Sequence, residues 1–193
     1  GQIRQYLILI LGRLRYAAAI PKLIELVKAT DASEKIYALL ALREMSSSSA
    51  VDAASAALQD EDAGVRKTAA YFFGAMGRAD RAGLAHLLIP LLNDPVPDVR
   101  WNAAFGLSEF HDPAAIPVLL RLLDRKTLSE EIKSPAGLDE TNAEKIIKAA
   151  LAASSRFRDP DLQAAAERLA SSDPRSEVQT AARQALERMG KAL

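Results

Sequence analysis

Asp94-Pro-Val-Pro-Asp-Val-Arg-Trp-Asn-Ala-Ala-Phe-Gly-Leu-Ser-Glu-Phe-His-Asp-Pro-Ala-Ala-Ile-Pro-Val-Leu-Leu-Arg-Leu-Leu-Asp124 reads as two short amphipathic helices joined by a tight turn. Pro97 or Asp98 opens the first helix, because proline loses nothing in a first turn and aspartate complements the positive end of the helix dipole. Val99, Ala103, Ala104, Leu107 and Phe110 then fall on one helical face. His111-Asp-Pro113 makes the turn, with Asp112 as N-cap and Pro113 at the first position of the second helix. Ile116, Leu119, Leu120, Leu122 and Leu123 give that helix a broad apolar stripe. Neither helix is long enough to stand alone, so each needs a neighbour over its apolar side.

The neighbours are copies of the same unit. With Val99 as anchor, the equivalent residues are Ile3, Glu34, Val65, Ile146 and Val178, at spacings of 31, 31, 34, 47 and 32. One residue on, the column reads Arg4, Lys35, Arg66, Arg100, Ile147, Gln179. Eight on, it reads Leu11, Leu42, Phe73, Leu107 and Leu186; eleven on, Leu14, Met45, Met76, Phe110 and Met189. A fixed period of this length is the mark of a stacked helical repeat. The copy anchored at Ile146 fits only loosely, and its register is open by a few residues.

Asp60-x5-Arg66 and Asp94-x5-Arg100, each with Val before the Arg and Ala-Ala after it, resemble HEAT repeats, closest to the short bacterial phycobilin lyase HEAT-like kind. The resemblance implies an all-α fold, a right-handed α-solenoid of helical pairs with the second helix of each pair on the concave side. It also implies a polar ladder of Asp and Arg from successive repeats, carried here by Asp60, Arg66, Asp94 and Arg100. Asp173 keeps the ladder position, but its arginine is replaced by Gln179. One repeat domain over residues 1–193 is expected, with units at about 2–31, 32–60, 61–93, 94–124 and 141–170, and a terminal helix at 174–191. The 125–140 insertion separates the fourth and fifth. Within it, Thr127-x-x-Glu130 is expected to cap one helical turn, Ser134-Pro-Ala-Gly137 to break it, and Thr141-x-x-Glu144 to open the next helix.

Composition narrows the function. The 193 residues include 25 basic and 25 acidic side chains. A solenoid that grips phosphate backbones needs a basic surface, so the balance argues against nucleic acid as partner. No cysteine occurs, which excludes disulfides and thiolate chemistry. No apolar run is long enough for a membrane span. Gly1 is not a natural start, so a fragment or an added leading residue is expected. The compartment stays open, with cytoplasm expected and periplasm allowed if a leader has been removed. The two histidines, His86 and His111, have no metal-ligand spacing, no Gly-rich phosphate loop is present, and no serine nucleophile has a histidine at a fitting distance in the sequence. No catalytic residue, metal or cofactor is expected.

The expected activity is non-catalytic protein binding on the concave face. By register the outward positions of the second helices are Lys22, Ala53, Leu87 and Val118, then Glu25, Ala56, Pro90 and Arg121. The partner-binding set is therefore Lys22, Glu25, Leu87, Pro90, Val118 and Arg121, to which Trp101 is added: its column holds Gln5, Ile36 and Lys67, so it is either an exposed contact beside Arg100 or a ring laid across the adjoining repeat. Leu87 and Val118 would form a sticky patch if exposed, or be half-buried by neighbouring helices. The alternative is a bilin-lyase-like enzyme or accessory handling a small ligand with Tyr71, Trp101 and the insertion, although Tyr71 matches Leu9, Leu40 and Phe105 and is expected in the core; a nucleic-acid-binding solenoid is the weaker alternative. The first helix is apolar on nearly every side, which predicts cover by its own second helix, by further repeats, or by self-association.

Overall fold

The computed structural model describes residues 2–77, 82–132 and 139–191, and among them every regular element is helical. Two compact units emerge, residues 1–106 and 107–193. In the first, α1 (Gln2–Arg13) packs on α3 (Ala32–Glu44), and α3 on α5 (Ala63–Gly77). Between them run the second halves of each repeat. A 3-10 turn at Ala17–Ala19 leads into α2 (Ile20–Val27), and one at Ser48–Ala50 leads into α4 (Val51–Ala57). The first helices make the wall of the core, with Ile8, Leu39, Leu42, Phe72, Phe73 and Met76 buried. Helix α6 (Pro97–Glu109) starts in this unit and ends in the next.

Three of the first helices, α1, α3 and α6, end in one way. Arg15, Ser46 and His111, all twelve residues after their anchors, take positive φ of 50°, 50° and 57°. Each is the C′ residue of a Schellman motif. The next amide donates five residues back, from Tyr16 to Leu11, Ser47 to Leu42 and Asp112 to Leu107, at 3.1, 3.2 and 3.0 Å. Left-handed backbone strains a residue with a Cβ by about 1–2 kcal/mol. Here the bonds and the sharp reversal into the second helix hold it.

The third repeat departs from the pattern. Its second half is 3-10 helix at Ala82–Leu87 and Ile89–Asn93, where α-helix is expected from register. Proline explains it. In the first and fourth repeats Pro21 and Pro117 sit in the first turn of the second helix. Pro90 falls four residues deeper by register, where it removes a donor and its ring meets the carbonyl one turn back.

In the second unit, a 3-10 turn at Pro113–Ala115, capped by Asp112 as expected, leads into α7 (Ile116–Leu122). Helix α8 (Arg125–Ile132) comes next, then α9 (Glu140–Ser154), α10 (Pro160–Ser172) and α11 (Ser176–Lys191). The insertion is thus more than one turn of helix, and its caps differ from the expected ones. Asp124 caps α8 by accepting from the Thr127 amide at 2.7 Å, and Asp139 caps α9 by accepting from Thr141 at 3.1 Å. The Ser134–Gly137 breaker lies outside the described residues. The fifth repeat is anchored three residues before Ile146. Ala143, Ile147, Leu151 and Ser154 are all fully buried, so the spacings become 44 and 35. Val178, Ala182, Ala185 and Met189 bury the apolar side of α11.

Candidate functional site: the Asp–Arg ladder and the exposed helix faces

Each ladder aspartate begins the turn before a first helix. Its carboxylate does two things at once. Asp94 accepts the Val96 amide at 2.9 Å, closing its own turn, and takes a bidentate grip from Arg66 of the preceding repeat, Nε at 2.7 Å and Nη2 at 3.0 Å. Asp60 accepts the Asp62 amide at 3.0 Å and Lys35 Nζ at 2.6 Å. The cation's other arm reaches back within its own repeat to backbone. Arg66 Nη1 donates to the Asp60 carbonyl at 2.8 Å, and Arg100 Nη1 to the Asp94 carbonyl at 2.8 Å. Asp60 and Arg66 are therefore joined through backbone, while the charge pairing runs from one repeat to the next.

The second unit rebuilds this rung from different residues. Realigned on Ala143, the cation column of α9 holds Glu144, the wrong sign for Asp173. Arg125, from the inserted α8, supplies the guanidinium, Nε at 2.7 Å and Nη2 at 2.9 Å from the Asp173 carboxylate. Glu144 pairs instead with Arg175, at 3.1 Å. Gln179 keeps the short arm, donating Nε2 to the Asp173 carbonyl at 2.8 Å, and brings no charge. The Arg-to-Gln change thus spares the within-turn bond.

Electrostatics reflect these partners. Burial pushes the Asp60, Asp94 and Asp173 carboxyls up. The hydrogen bonds from Lys35, Arg66 and Arg125, the turn amides and the neighbouring positive charges outweigh it, and all three lie below the usual aspartate value. Glu144 is lowered by its bonds to Arg175 and Lys148. These are carboxylates held ionised for structure.

The expected contact residues separate by exposure. Lys22 and Glu25 are exposed and ion-paired to each other on α2. Pro90 is exposed, with Ile89 beside it, and Leu87 is half-buried. In the second unit Val118 is half-buried, and Arg121 is exposed with its guanidinium on Glu131 of α8. Ala53 is buried and Ala56 exposed. Trp101 is corrected: at 6% exposure its ring lies in the core and offers no surface contact. An indole removes much apolar area from water by burial, and its column is less open than polar residue types suggest, since Gln5 and Lys67 are themselves half-buried. Tyr71 is corrected in the other direction. It is 43% exposed, with the Arg43 guanidinium carbon 3.8 Å from its ring centre. Its aromatic ring carries a cation–π contact that the Leu residues of its column cannot. A cleft of about 430 Å³ lies in the second unit, lined by Phe157, Arg158, Pro160, Gln163 and Met189. Among the described residues no cluster of three or more metal-ligating side chains occurs, and no helix is long and apolar enough to cross a membrane.

Comparison with known proteins agrees with this architecture. The HEAT-repeat family matches residues 20–88 and 74–138, more than half of the chain. No curated protein matches it in sequence. Among solved structures, the chain is similar to one in the complex of CpcE and CpcF of phycocyanin lyase from Nostoc sp. PCC7120, with 28% identity and a TM-score of 0.65. That alignment covers 86% of this chain and 63% of the other, so this chain spans under two thirds of that lyase chain. It is also similar in fold to a designed armadillo repeat protein in complex with a (KR)4 peptide, with 18% identity, a TM-score of 0.63, and coverage of 97% and 92%. Computationally designed armadillo repeat proteins for peptide recognition give 18% identity and a TM-score of 0.55 over 97% and 94%. The repeating first-helix columns, the rungs between repeats and the family match together make this chain an α-solenoid belonging to the HEAT-repeat family.

Proposed function

We propose that the chain is a non-catalytic protein-binding scaffold that receives its partner on the outward side of the second helices, the side the repeat resemblance makes concave. One observation carries the reading. The depressed carboxylates Asp60, Asp94 and Asp173 are all engaged by the cations and amides that lock repeats together, while the outward second-helix positions Lys22, Glu25, Pro90 and Arg121 stand exposed. Rigid backbone with variable outward side chains is how repeat proteins recognise extended partners. The 28% identical lyase chain is itself found in a two-protein complex, which supports association. The test is affinity capture from a source lysate with the wild type and with a Lys22→Ala/Glu25→Ala/Arg121→Ala variant of equal helicity. A protein held by the first and lost by the second supports the reading; identical capture sinks it.

A second reading rests on that same relative: a lyase-like or accessory role toward a linear tetrapyrrole, with Tyr71 as the exposed aromatic and the half-buried Arg43 against its ring as the cation. Titration of the chain with a bilin, monitored by visible absorption, decides it. A saturable shift removed by Tyr71→Ala favours this role over the scaffold. An unshifted spectrum eliminates it.

A further inference from the structure

We propose that the outward face of α7 and α10 is a docking site for an extended acidic segment of a partner protein, whose carboxylates pair with Arg121 and Arg168. The inference rests on the scaffold reading and gives that partner a chemical class. Asp112 and Asp159 cap the turns ahead of these two second helices, and Arg121 and Arg168 each come nine residues later. The inward sides match by the same count: Ala115 with Leu162, Leu119 with Ala166 and Leu122 with Leu169 are all buried. Arg168 therefore continues the outward row of Glu25, Ala56, Pro90 and Arg121, every member of which is exposed. Ala56, Pro90 and Arg121 belong to inner repeats, so the openness of the row is a property of the repeat and not of a chain end.

Arg121 shows what this row takes. Its guanidinium holds Glu131 of the inserted α8, whose side chain is only 8% exposed while the arginine keeps 56%. A carboxylate leaves water at little cost only against a cation, and the arginine fork suits it in two parallel bonds. Arg168 is exposed, and its guanidinium makes no hydrogen bond or ion pair among the described residues. The Asp124 carboxyl is lowered by the Thr127 amide and hydroxyl, which outweigh burial, and by the positive charges of Lys126 and Arg168, so Arg168 stands within its field. A phosphate backbone, charged at every nucleotide, would also meet Asp124 and the exposed Glu167. Spaced carboxylates avoid that repulsion. Helices α7 and α10 pack directly on each other. Packed helices lie about 8–10 Å apart, and three residues of a polyproline II segment advance roughly 9 Å. Acidic side chains at every third position thus meet successive second helices. Glu131 is a built-in occupant of one such position. Buried Leu128 and the grip of Arg125 on Asp173 anchor α8, while Glu131 gives way to the partner's carboxylate.

Fluorescence anisotropy of a labelled peptide of Glu-Pro-Pro repeats, titrated with the whole chain, tests this. Saturable binding that weakens with salt is expected. Arg168→Ala removes an exposed, unpaired side chain, so the fold stays intact; it should weaken binding roughly fivefold, and together with Arg121→Ala roughly 20-fold. Glu131→Gln, with circular dichroism unchanged, should tighten binding roughly threefold by removing the internal rival. Peptides of Gln-Pro-Pro or Lys-Pro-Pro repeats should not bind. The proposal is overturned if neither the wild type nor Glu131→Gln binds the acidic peptide, if binding ignores Arg168→Ala, or if Glu131→Gln fails to tighten it. Equal binding of the Gln-Pro-Pro peptide overturns it too, as does tighter binding of single-stranded DNA, which would make the arginines a phosphate site. If the peptide is ignored while the Lys22→Ala/Glu25→Ala/Arg121→Ala variant still loses a captured protein, the acidic class fails and the scaffold stands. Unchanged capture by that variant sinks the scaffold whatever the peptide does.

Discussion

Replacing Arg125 by alanine tests whether the inserted helix is part of the repeat framework. The Asp173 side chain is wholly buried, and its two oxygens accept twice from Arg125 and once from the Arg175 amide. Removing the guanidinium strands a buried carboxylate, a change that costs about 3–5 kcal/mol when no water reaches the site. Arg125 itself keeps 22% of its side chain exposed, so water reaches part of the gap. The Arg175 amide and positive charge remain, and together these lower the expectation to about 2–3 kcal/mol. Urea unfolding monitored by far-UV circular dichroism measures it, with Lys126→Ala as an exposed neighbour expected to change stability by less than ~0.5 kcal/mol. Asp173→Asn keeps one acceptor for the Arg175 amide and removes the charge. Combined with Arg125→Ala, it should recover ~1 kcal/mol or more of the loss, because the stranded charge is the source of the cost. If Arg125→Ala costs no more than Lys126→Ala, or if the double variant shows no coupling, the rung carries nothing and α8 is a surface excursion.

Local geometry sets three further outcomes. His111→Gly should stabilise the chain by about 0.5–1 kcal/mol in thermal unfolding, since φ of 57° strains a residue with a Cβ and suits glycine. Two glycine replacements should go opposite ways. Gly12→Ala sets a Cβ 2.6 Å from the Ala41 backbone and should cost ~2 kcal/mol or more, whereas Gly190→Ala on α11 meets nothing within 4 Å and should add about 0.5–1 kcal/mol of helix propensity. Because Asp60, Asp94 and Asp173 titrate below the usual aspartate value only when folded, their stabilisation is complete above about pH 5 and disappears as pH falls through those lowered values. An acid titration should thus show stability flat near neutrality and falling below about pH 4, with a shallower fall in Asp94→Asn.

The repeats are legible in the sequence because burial selects residue type at fixed columns: Val65 and Val99, Ala69 and Ala103, Phe73 and Leu107 are all buried as their register requires. The ladder residues are legible too, but not the direction of pairing, since a spacing along the chain cannot tell a bond within one repeat from a bond to the next. The register of the fifth repeat slips by three residues because Ile146 has the aliphatic character of the anchors Ile3, Val65, Val99 and Val178, while the buried anchor is the smaller Ala143; Ile146 is only half-buried, and Ile147, four residues after Ala143, is the one fully buried. Arg125 escapes the pattern because its partner lies 48 residues away and its column belongs to α9. One signal does mark the turns. Gly77 shares the column of Arg15, Ser46 and His111, and a glycine in a turn column marks left-handed backbone for its companions. Trp101 and Tyr71 exchange surface and core because a column average says little about an aromatic ring that is larger than its equivalents.

The 3-10 segments of the third repeat also set where amides exchange. Their i to i+3 bonds are poorer in geometry than α-helical ones, and Pro90 interrupts the series with no donor at all. Hydrogen exchange is governed by the least costly opening that frees an amide. Residues 82–93 should therefore take up deuterium well before α3 and α5, whose amides sit behind a closed apolar wall. Labelling would write the position of one misplaced proline as a fast-exchanging gap between slow helices, and moving that proline back one turn, as in Pro90→Glu with His86→Pro, would close the gap.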